Sequence, residues 1–547
     1  MAILNSKLIL AKGIKMDKEY NNVLSFGTNA MLSLLNSNAH YVNSSDTFAF
    51  IGGKNTNVIS CPFTYEECLQ SNYIAYQNPS YSSKWFFAFI TNVIYKSDGM
   101  TQIEFEIDAW TTWFEDWTKK ACYINRQHVN DDTIGLHTVP ENLDVGEVIE
   151  ESSESVISYG NDGNDYYFCI NTTWDPVGEH DFGESTDSFV NINGNLVGNF
   201  IFCFTPGEAL ASYVNNFIYK TNQDGKIDAI KELYILPKII IDNFETKTKT
   251  YTASLGSFSC LLLKNEKDAI TIPVTFNRIT QFSDYTPKNN KLFCYPYNYL
   301  LVSNNVGNQN IYKYEDFEPY HLSYVPQFEL QMSATIGASI RLVPRVYKNI
   351  DYNYDESLPL AKFPTCSWSS DAFTNWLTQN AVNIGTQIIG TVASTGVAIA
   401  TAGTSSVVQG AMAGISPTSK GVLGLIGEFR GASLLPNISG GNNNGDINFS
   451  NRTNQFILHH MRAKTEYLKI IDDYFSRFGY AINRVLEPNI TGRQNFNYVE
   501  IGASEEIGNG DVPVQFMEKI NNACRRGVTI WHNHENMGNF SVSNNIV

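Results

Sequence analysis

Apolar and polar residues alternate most clearly in two neighbouring stretches, SSKWFFAFITNVIYKS (82–97) and MTQIEFEIDAWTTWF (100–114). In the second, Ile103, Phe105 and Ile107 alternate with Gln102, Glu104 and Glu106, the period of a strand with one buried face. Asp98 and Gly99 lie between the stretches and predict a hairpin turn. The strand period returns in KLFCYPYNYLLVSNNVGNQNIYKYEDF (291–317), where the Asn-rich centre marks a second hairpin, and in FELQMSATIGASIRLVPRVY (328–347). A different spacing, of three, four or seven, links Ile457, Met461, Leu468, Ile471 and Phe475 and predicts a helix across 454–479 that Gly479 stops. Residues 372–419 follow neither pattern: they are apolar, rich in Gly, Ala, Ser and Thr, and contain no Asp, Glu, Lys or Arg. Lys420, Glu428 and Arg430 interrupt a second apolar run, which ends in the polar sequence NISGGNNNGD.

Three readings compete for that uncharged segment. A permanent transmembrane helix needs about 20 consecutive, mostly apolar residues, and the recurring glycines make the segment too weak for one. A buried helical hairpin is the second, because Gly and Ala allow close backbone approach in any packed core. The third is a conditionally exposed segment, apolar enough to enter a bilayer and sheltered until then. Gly410 with Gly414, and Gly427 with Gly431, form GxxxG spacings suited to close helix contact in lipid. As a helix rising about 1.5 Å per residue, the uncharged run would reach roughly 70 Å, enough for two bilayer passes.

Composition narrows the class. The chain has 547 residues, 43% hydrophobic and 17% charged, which predicts several packed domains rather than disorder. With 30 Tyr and 33 Phe it favours many short strands over long helices, so the expected fold is mainly β with a few helices, α+β in class and multi-domain. A formal charge of −17 excludes the sequence-wide basic surface that grips nucleic acid by counterion release. The nine cysteines are scattered without a CxxC pair and read as buried thiols of a protein made in a reducing cytoplasm. The N-terminal sequence MAILNSKLILAKGIKM lacks the apolar core and small-residue cleavage site of a signal peptide, so export by that route is not expected.

Catalytic and metal chemistry find little support. His459 and His460 are adjacent, and on a helix they would point about 100° apart, so they cannot form an i, i+4 metal pair. His532 and His534 would share a face of a strand, yet no nearby Cys completes a site and a structural pair on the surface is expected. Residues 222–228, NQDGKID, look like a calcium loop. Aligning Gly225 with the sixth position places Lys220 first and Lys231 twelfth, so a turn followed by a short helix before Pro237 is expected instead. No GxSxG, HExxH or GxxxxGK[ST] motif occurs. Trp110, Trp113, Phe114 and Trp117 are expected to be a core or subunit-contact cluster, with a carbohydrate platform as the alternative.

Towards the C-terminus DDYFSRFGYAINRVLEPN (472–489), RQNFNYVE (493–500) and RGVTIWHNHENMGNFSVSNNIV (526–547) closely resemble the tail knob, or distal tube, proteins of short-tailed phages of the Bacillus phage phi29 type, a family with streptococcal and staphylococcal relatives. SNYIAYQNPSYSSKWFFAFI (71–90) and the 100–114 stretch resemble that family's N-terminal region. A composition shift at the acidic entry GEVIEESSES marks an inserted domain (142–285), which matches the family poorly; around it, in the order that the family shares, come an N-terminal β tube region (1–141), a second β tube region (286–371), a long hydrophobic glycine-rich loop (372–449), and a helix with C-terminal strands that complete the tube (450–547). The resemblance implies β-barrel or sandwich-like tube domains.

The resemblance further implies a non-enzymatic structural protein at the tail tip of a virion, made in the host cytoplasm. Six copies would form a tube joined to other tail and collar proteins, through which DNA passes without specific binding. The apolar loops would plug the lumen and, on ejection, penetrate the host membrane; no cofactor is implied. The plug and membrane segment would comprise Ile384, Ile388, Ile389, Val392, Val397 and Ile399, then Val407, Val408, Met412 and Ile415, and then Val422, Leu423, Leu425, Ile426, Leu434 and Leu435. Gly385, Gly390, Gly396, Gly403, Gly410 and Gly414 would be its loop glycines. An apolar segment sheltered in a lumen is compatible with water and becomes membrane-active on release. A host-wall receptor or glycan-binding adhesin is the alternative function, and a cell-wall hydrolase a further one.

Overall fold

Among the described residues, five antiparallel and mixed sheets of four to seven strands make up most of the fold, with two short ribbons and a few helices. The structure, a computed structural model, describes residues 7–43, 50–53, 56–77, 83–156, 166–176, 190–192, 195–197, 200–205, 210–226, 229–242, 246–253, 256–263, 272–304, 308–317, 327–333, 339–360, 365–367 and 456–547. The mainly β, multi-domain class expected from the aromatic-rich composition is the one observed, and among the described residues no sheet closes into a barrel. The chain forms two compact units. One gathers residues 1–147, 284–292 and 464–547; the other gathers 148–283 and 293–463.

The first unit is built on a seven-stranded antiparallel sheet in the order Ala39–Asn43, Lys7–Ala11, Tyr73–Gln77, Trp85–Ser97, Met100–Ile107, Thr56–Cys61, Phe50–Gly53. The predicted hairpin is at its centre: Ser97 pairs with Met100, and Gly99 takes φ +78 in the two-residue turn. Ile103 and Phe105 are buried with Leu8, Leu10, Ile59 and Ile74, while Gln102 and Glu104 on the other face are only partly covered. A second sheet joins distant parts of the chain. Its order is Asn22–Leu24, Val528–Trp531, Phe496–Ile501, Cys122–Gln127, Tyr480–Leu486, with only the Asn22–Leu24 and Val528–Trp531 pair parallel.

Helix Thr465–Phe478 packs Leu468, Ile471 and Phe475 inward and stops at Gly479, which has φ +66. A Cβ at that glycine would sit 2.2 Å from the carbonyl oxygen of Gln127, so both backbone angle and space demand glycine there. The helix is shorter than its pattern predicts. Ile457 and Met461 belong instead to strand Ile457–Ala463, which turns into the helix at Lys464. In that strand Leu458, His460 and Arg462 are buried, a period of two, and the pairing available on both sides outweighs the helical spacing.

The same helix fastens the nine-residue crossing 284–292. Asp472, buried on the apolar face, accepts hydrogen bonds from Tyr285 Oη at 2.6 Å, Lys288 N at 2.8 Å, Asn289 N at 3.1 Å and Asn289 Nδ2 at 2.7 Å. Asp132 accepts from Asn290 N at 3.0 Å, and the buried Lys291 ammonium meets Glu141 Oε1 at 2.5 Å. Glu141 also pairs with Arg126. Three separate chain segments are thus held by carboxylates whose oxygens are filled by donors, the condition under which buried charge is tolerable.

The second unit contains three larger sheets. The first has the order Val148–Ser155, Ile457–Ala463, Asn298–Ser303, Gln309–Tyr312; its last two strands are the predicted Asn-rich hairpin. The second has the order Thr246–Ala253, Gly256–Leu263, Phe200–Phe204, Tyr166–Thr172, Ile230–Pro237, Thr365–Ser367. The third runs Ile272–Thr275, Gln327–Ser333, Ser339–Tyr347, Ile350–Tyr352, with Leu358–Leu360 also paired to Ser339–Tyr347. One aromatic cluster, including Phe276, Tyr312, Tyr314, Phe317, Phe328 and Tyr347, forms its core. Around Gly225 the calcium-like sequence is a turn, as expected, but helix Leu210–Gln223 precedes it and residues 230–237 form a strand rather than the expected short helix. Glu232, Leu233 and Tyr234 gain two strand partners there, Tyr166–Thr172 and Thr365–Ser367, both remote in sequence.

Candidate functional site

The uncharged segment 372–419, and with it every expected plug residue from Ile384 to Leu435 and every loop glycine from Gly385 to Gly414, lies outside the described residues. The described chain is ordered by identifiable contacts on either side of it. Before it, strand Thr365–Ser367 pairs with Glu232, Leu233 and Tyr234 at the edge of the six-stranded sheet. After it, Phe456 is fully buried in the aromatic core and its carbonyl accepts from Val156 N at 2.9 Å. The chain then enters strand Ile457–Ala463, flanked on both sides by partners. Both supports belong to the second unit.

The outgoing strand carries a dense polar support. His459 Nδ1 lies 2.6 Å from Glu150 Oε2, and this hydrogen bond holds Glu150 below the usual carboxylate range. His460 is buried, its ring parallel to Tyr314 with centroids 6.0 Å apart, and its Nδ1 bonds the Tyr314 hydroxyl. Burial pushes His460 below its ordinary range, so the ring is neutral at neutral pH. The Arg462 guanidinium pairs with Glu151, donates to the Ala463 carbonyl at 3.1 Å and lies 5.3 Å from the Phe282 ring. These contacts fix a strand in place; they contain no nucleophile and base aligned for chemistry.

The rival sites are structural. Trp110 and Trp113 are in helix Ala109–Trp113, whose five residues are all buried, and Asp108 caps it by accepting from Thr111 N at 3.1 Å. Trp110 Nε1 donates to the Leu24 carbonyl at 3.0 Å, Trp113 stacks on Phe516 with centroids 4.1 Å apart, and Trp117 is 7% exposed. A sugar platform needs open ring faces, which these lack. His532 has both ring nitrogens occupied, by Ser25 Oγ at 2.6 Å and Asn497 Oδ1 at 2.9 Å, and it follows strand Val528–Trp531 rather than continuing it. His534 is buried rather than on the surface as expected, because its Nε2 accepts from Lys15 N at 3.4 Å, a residue remote in sequence. Among the described residues no group of three or more His, Cys, Asp or Glu is placed to hold a metal ion. Among them, too, no helix is long and apolar enough to cross a membrane.

Asp472 and Glu141 organise the first unit and escaped the sequence reading. Asp472 carried a signal: it shares the helix face of Leu468, Ile471 and Phe475, and a carboxylate on an apolar face needs buried donors. Glu141 carried none, since its partners Arg126 and Lys291 are remote in sequence.

Comparison with known proteins bears on the whole chain. A family described as Bacillus phage phi29, tail knob protein gp9, C-terminal domain, matches residues 261–545, more than half the sequence. Residues 4–119 match the family described as the caudoviral major tail protein N-terminus. The chain is 24% identical to tail knob protein gp9 of Bacillus phage phi29, over 90% of each chain, and 22% identical to that of Bacillus phage B103, over 87% of each. In fold it is similar to the tail knob protein gp12 of bacteriophage C1, with a TM-score of 0.61 and 14% identity, covering 99% of this chain and all of that one.

Proposed function

The chain belongs to the tail knob protein family of the phi29-type Bacillus phages and is a structural component of the virion tail, and from that premise we propose that six copies build a distal tail tube that conducts DNA during ejection. In this reading the 384–435 segment plugs the lumen and, once released, penetrates the host membrane. The tube attaches to other tail and collar proteins, contacts DNA without specific binding and performs no catalysis. One observation carries the proposal: a tail protein of net charge −17 contains a long run with no charged side chain, between a strand at a sheet edge and a buried Phe456. An apolar run of that length needs covering surface in water, and a closed ring of identical subunits supplies an enclosed space for it. The acidic balance supports passage of DNA, because a wall that does not attract phosphate lets the duplex slide.

Dye leakage from liposomes tests the membrane step. The full chain is expected to release dye and a variant lacking residues 383–433 to release none, with both keeping the same circular dichroism and oligomeric mass. Failure of the shortened chain to fold or assemble would identify the segment as core. Absence of leakage from either protein would reduce it to a static plug.

A further inference from the structure

In the first unit, Cys61 ends strand Thr56–Cys61 and Cys68 lies on helix Tyr65–Leu69, so the two thiols are seven residues apart across a tight reversal. Their sulfurs are 3.7 Å apart, in contact without a bond. The Cys61 thiol also lies 3.4 Å from the Thr101 carbonyl, which fixes its side of the pair. We infer that Cys61 and Cys68 form an oxidisable dithiol that closes to an intrachain disulfide when the assembled tail leaves the reducing host cytoplasm for an oxidising medium.

The short helix supplies the access that the buried sulfurs lack at rest. It is a single turn held by a capping box, in which Thr64 and Glu67 satisfy each other's backbone N–H groups, and Glu66, Glu67 and Leu69 are exposed. A one-turn surface element opens locally at low cost, carrying Cys68 with it. Opening of that turn exposes Cys68 while Cys61 stays on its strand against the Thr101 carbonyl, so Cys68 is the attacking sulfur. The Cys68 thiolate attacks one sulfur of a small disulfide, forming a mixed disulfide and expelling one thiolate. The Cys61 thiolate then displaces the second. Two electrons pass from the protein to the oxidant, and the two protein protons end on the two departing thiols.

A second pair provides an internal contrast. Cys169 and Cys203 face each other in register on central strands of the six-stranded sheet, with sulfurs 3.4 Å apart and neither side chain exposed. That pair is closer, yet reaching it requires opening a sheet rather than one helical turn, so it lags in oxidation.

The test incubates the purified full-length protein with oxidised glutathione, then denatures it, blocks free thiols with N-ethylmaleimide and maps tryptic peptides. Lys54 and Lys84 bound one peptide that contains both sulfurs. That peptide is expected to become lighter by two hydrogen atoms and to resist blocking until reduced, in the parent and in Cys169→Ser, but not in Cys61→Ser. A peptide that stays fully blockable, carries only glutathione adducts, or closes after the Cys169–Cys203 pair would overturn the inference. The reading on the parent protein is decisive by itself, so a variant that fails to fold leaves the test standing.

Discussion

The two units solve the same problem, joining remote stretches of one chain, with opposite chemistry. In the first, Asp472, Asp132 and Glu141 receive the donors of the crossing peptide 284–292, so the join is polar, directional and fully specified. In the second, Tyr312, Phe317, Phe328 and Tyr347 bring strands together through ring contacts with centroid separations of 4.7–6.2 Å. A polar join fails when one acceptor is lost, whereas an aromatic join fails when volume is lost.

The largest effect should follow from removing volume in the second unit. Phe328→Ala is expected to cost about 4 kcal/mol and to speed amide exchange in the Gln327–Ser333 and Ser339–Tyr347 strands, leaving peptides of the first unit unchanged, as read by hydrogen exchange and mass spectrometry. Next comes Asp472→Ala, which strands the donors of Tyr285, Lys288 and Asn289 and should cost about 3 kcal/mol, with faster exchange confined to 284–292 and helix Thr465–Phe478. Equal loosening of both units by either change would erase the contrast.

The smallest effect is set by pH. His128 in the first unit is buried, accepts Tyr498 N at 2.8 Å on Nδ1 and contacts the Ser476 carbonyl at 3.2 Å through Nε2. Burial, assisted by the Arg493 charge, lowers it to about 3. Below about pH 6.5 the unfolded chain binds a proton that the folded chain refuses, so stability falls by up to about 1.4 kcal/mol per pH unit until the folded value is reached. Asp108 and Asp132, raised by burial, act in the opposite sense as they protonate. Urea titration followed through exchange of the Phe496–Ile501 strand should lose about 2 kcal/mol between pH 7 and pH 5, and a flat response would remove His128 as the cause.

What could be read from the sequence was whatever its neighbours decide. The Asp98–Gly99 hairpin and the Gly479 helix stop are settled within a few residues, and both are present. The inward-facing tryptophans followed from size and apolarity alone. Strand Ile457–Ala463 differs from the helix that its apolar spacing predicts because its partners, Val148–Ser155 and Asn298–Ser303, are distant in the chain, and because two of its inward positions are the polar His460 and Arg462, which hide the period of two. Of the candidate site, the absence of charge across 372–419 was plain in the sequence, and so were its limits. The supports were not: the burial of Phe456 and the Tyr314–His460 stack arise only when remote strands meet.

The parallel pairing of Asn22–Leu24 with Val528–Trp531 also sets a clock. Ser25 Oγ bonds the Trp531 carbonyl across 506 residues of chain, so an early segment waits for one made much later. At a translation rate of about 5–20 residues per second, that wait is roughly 25–100 s, during which the first unit's second sheet is incomplete. Chains still on the ribosome therefore lack part of the finished surface until synthesis has passed Trp531.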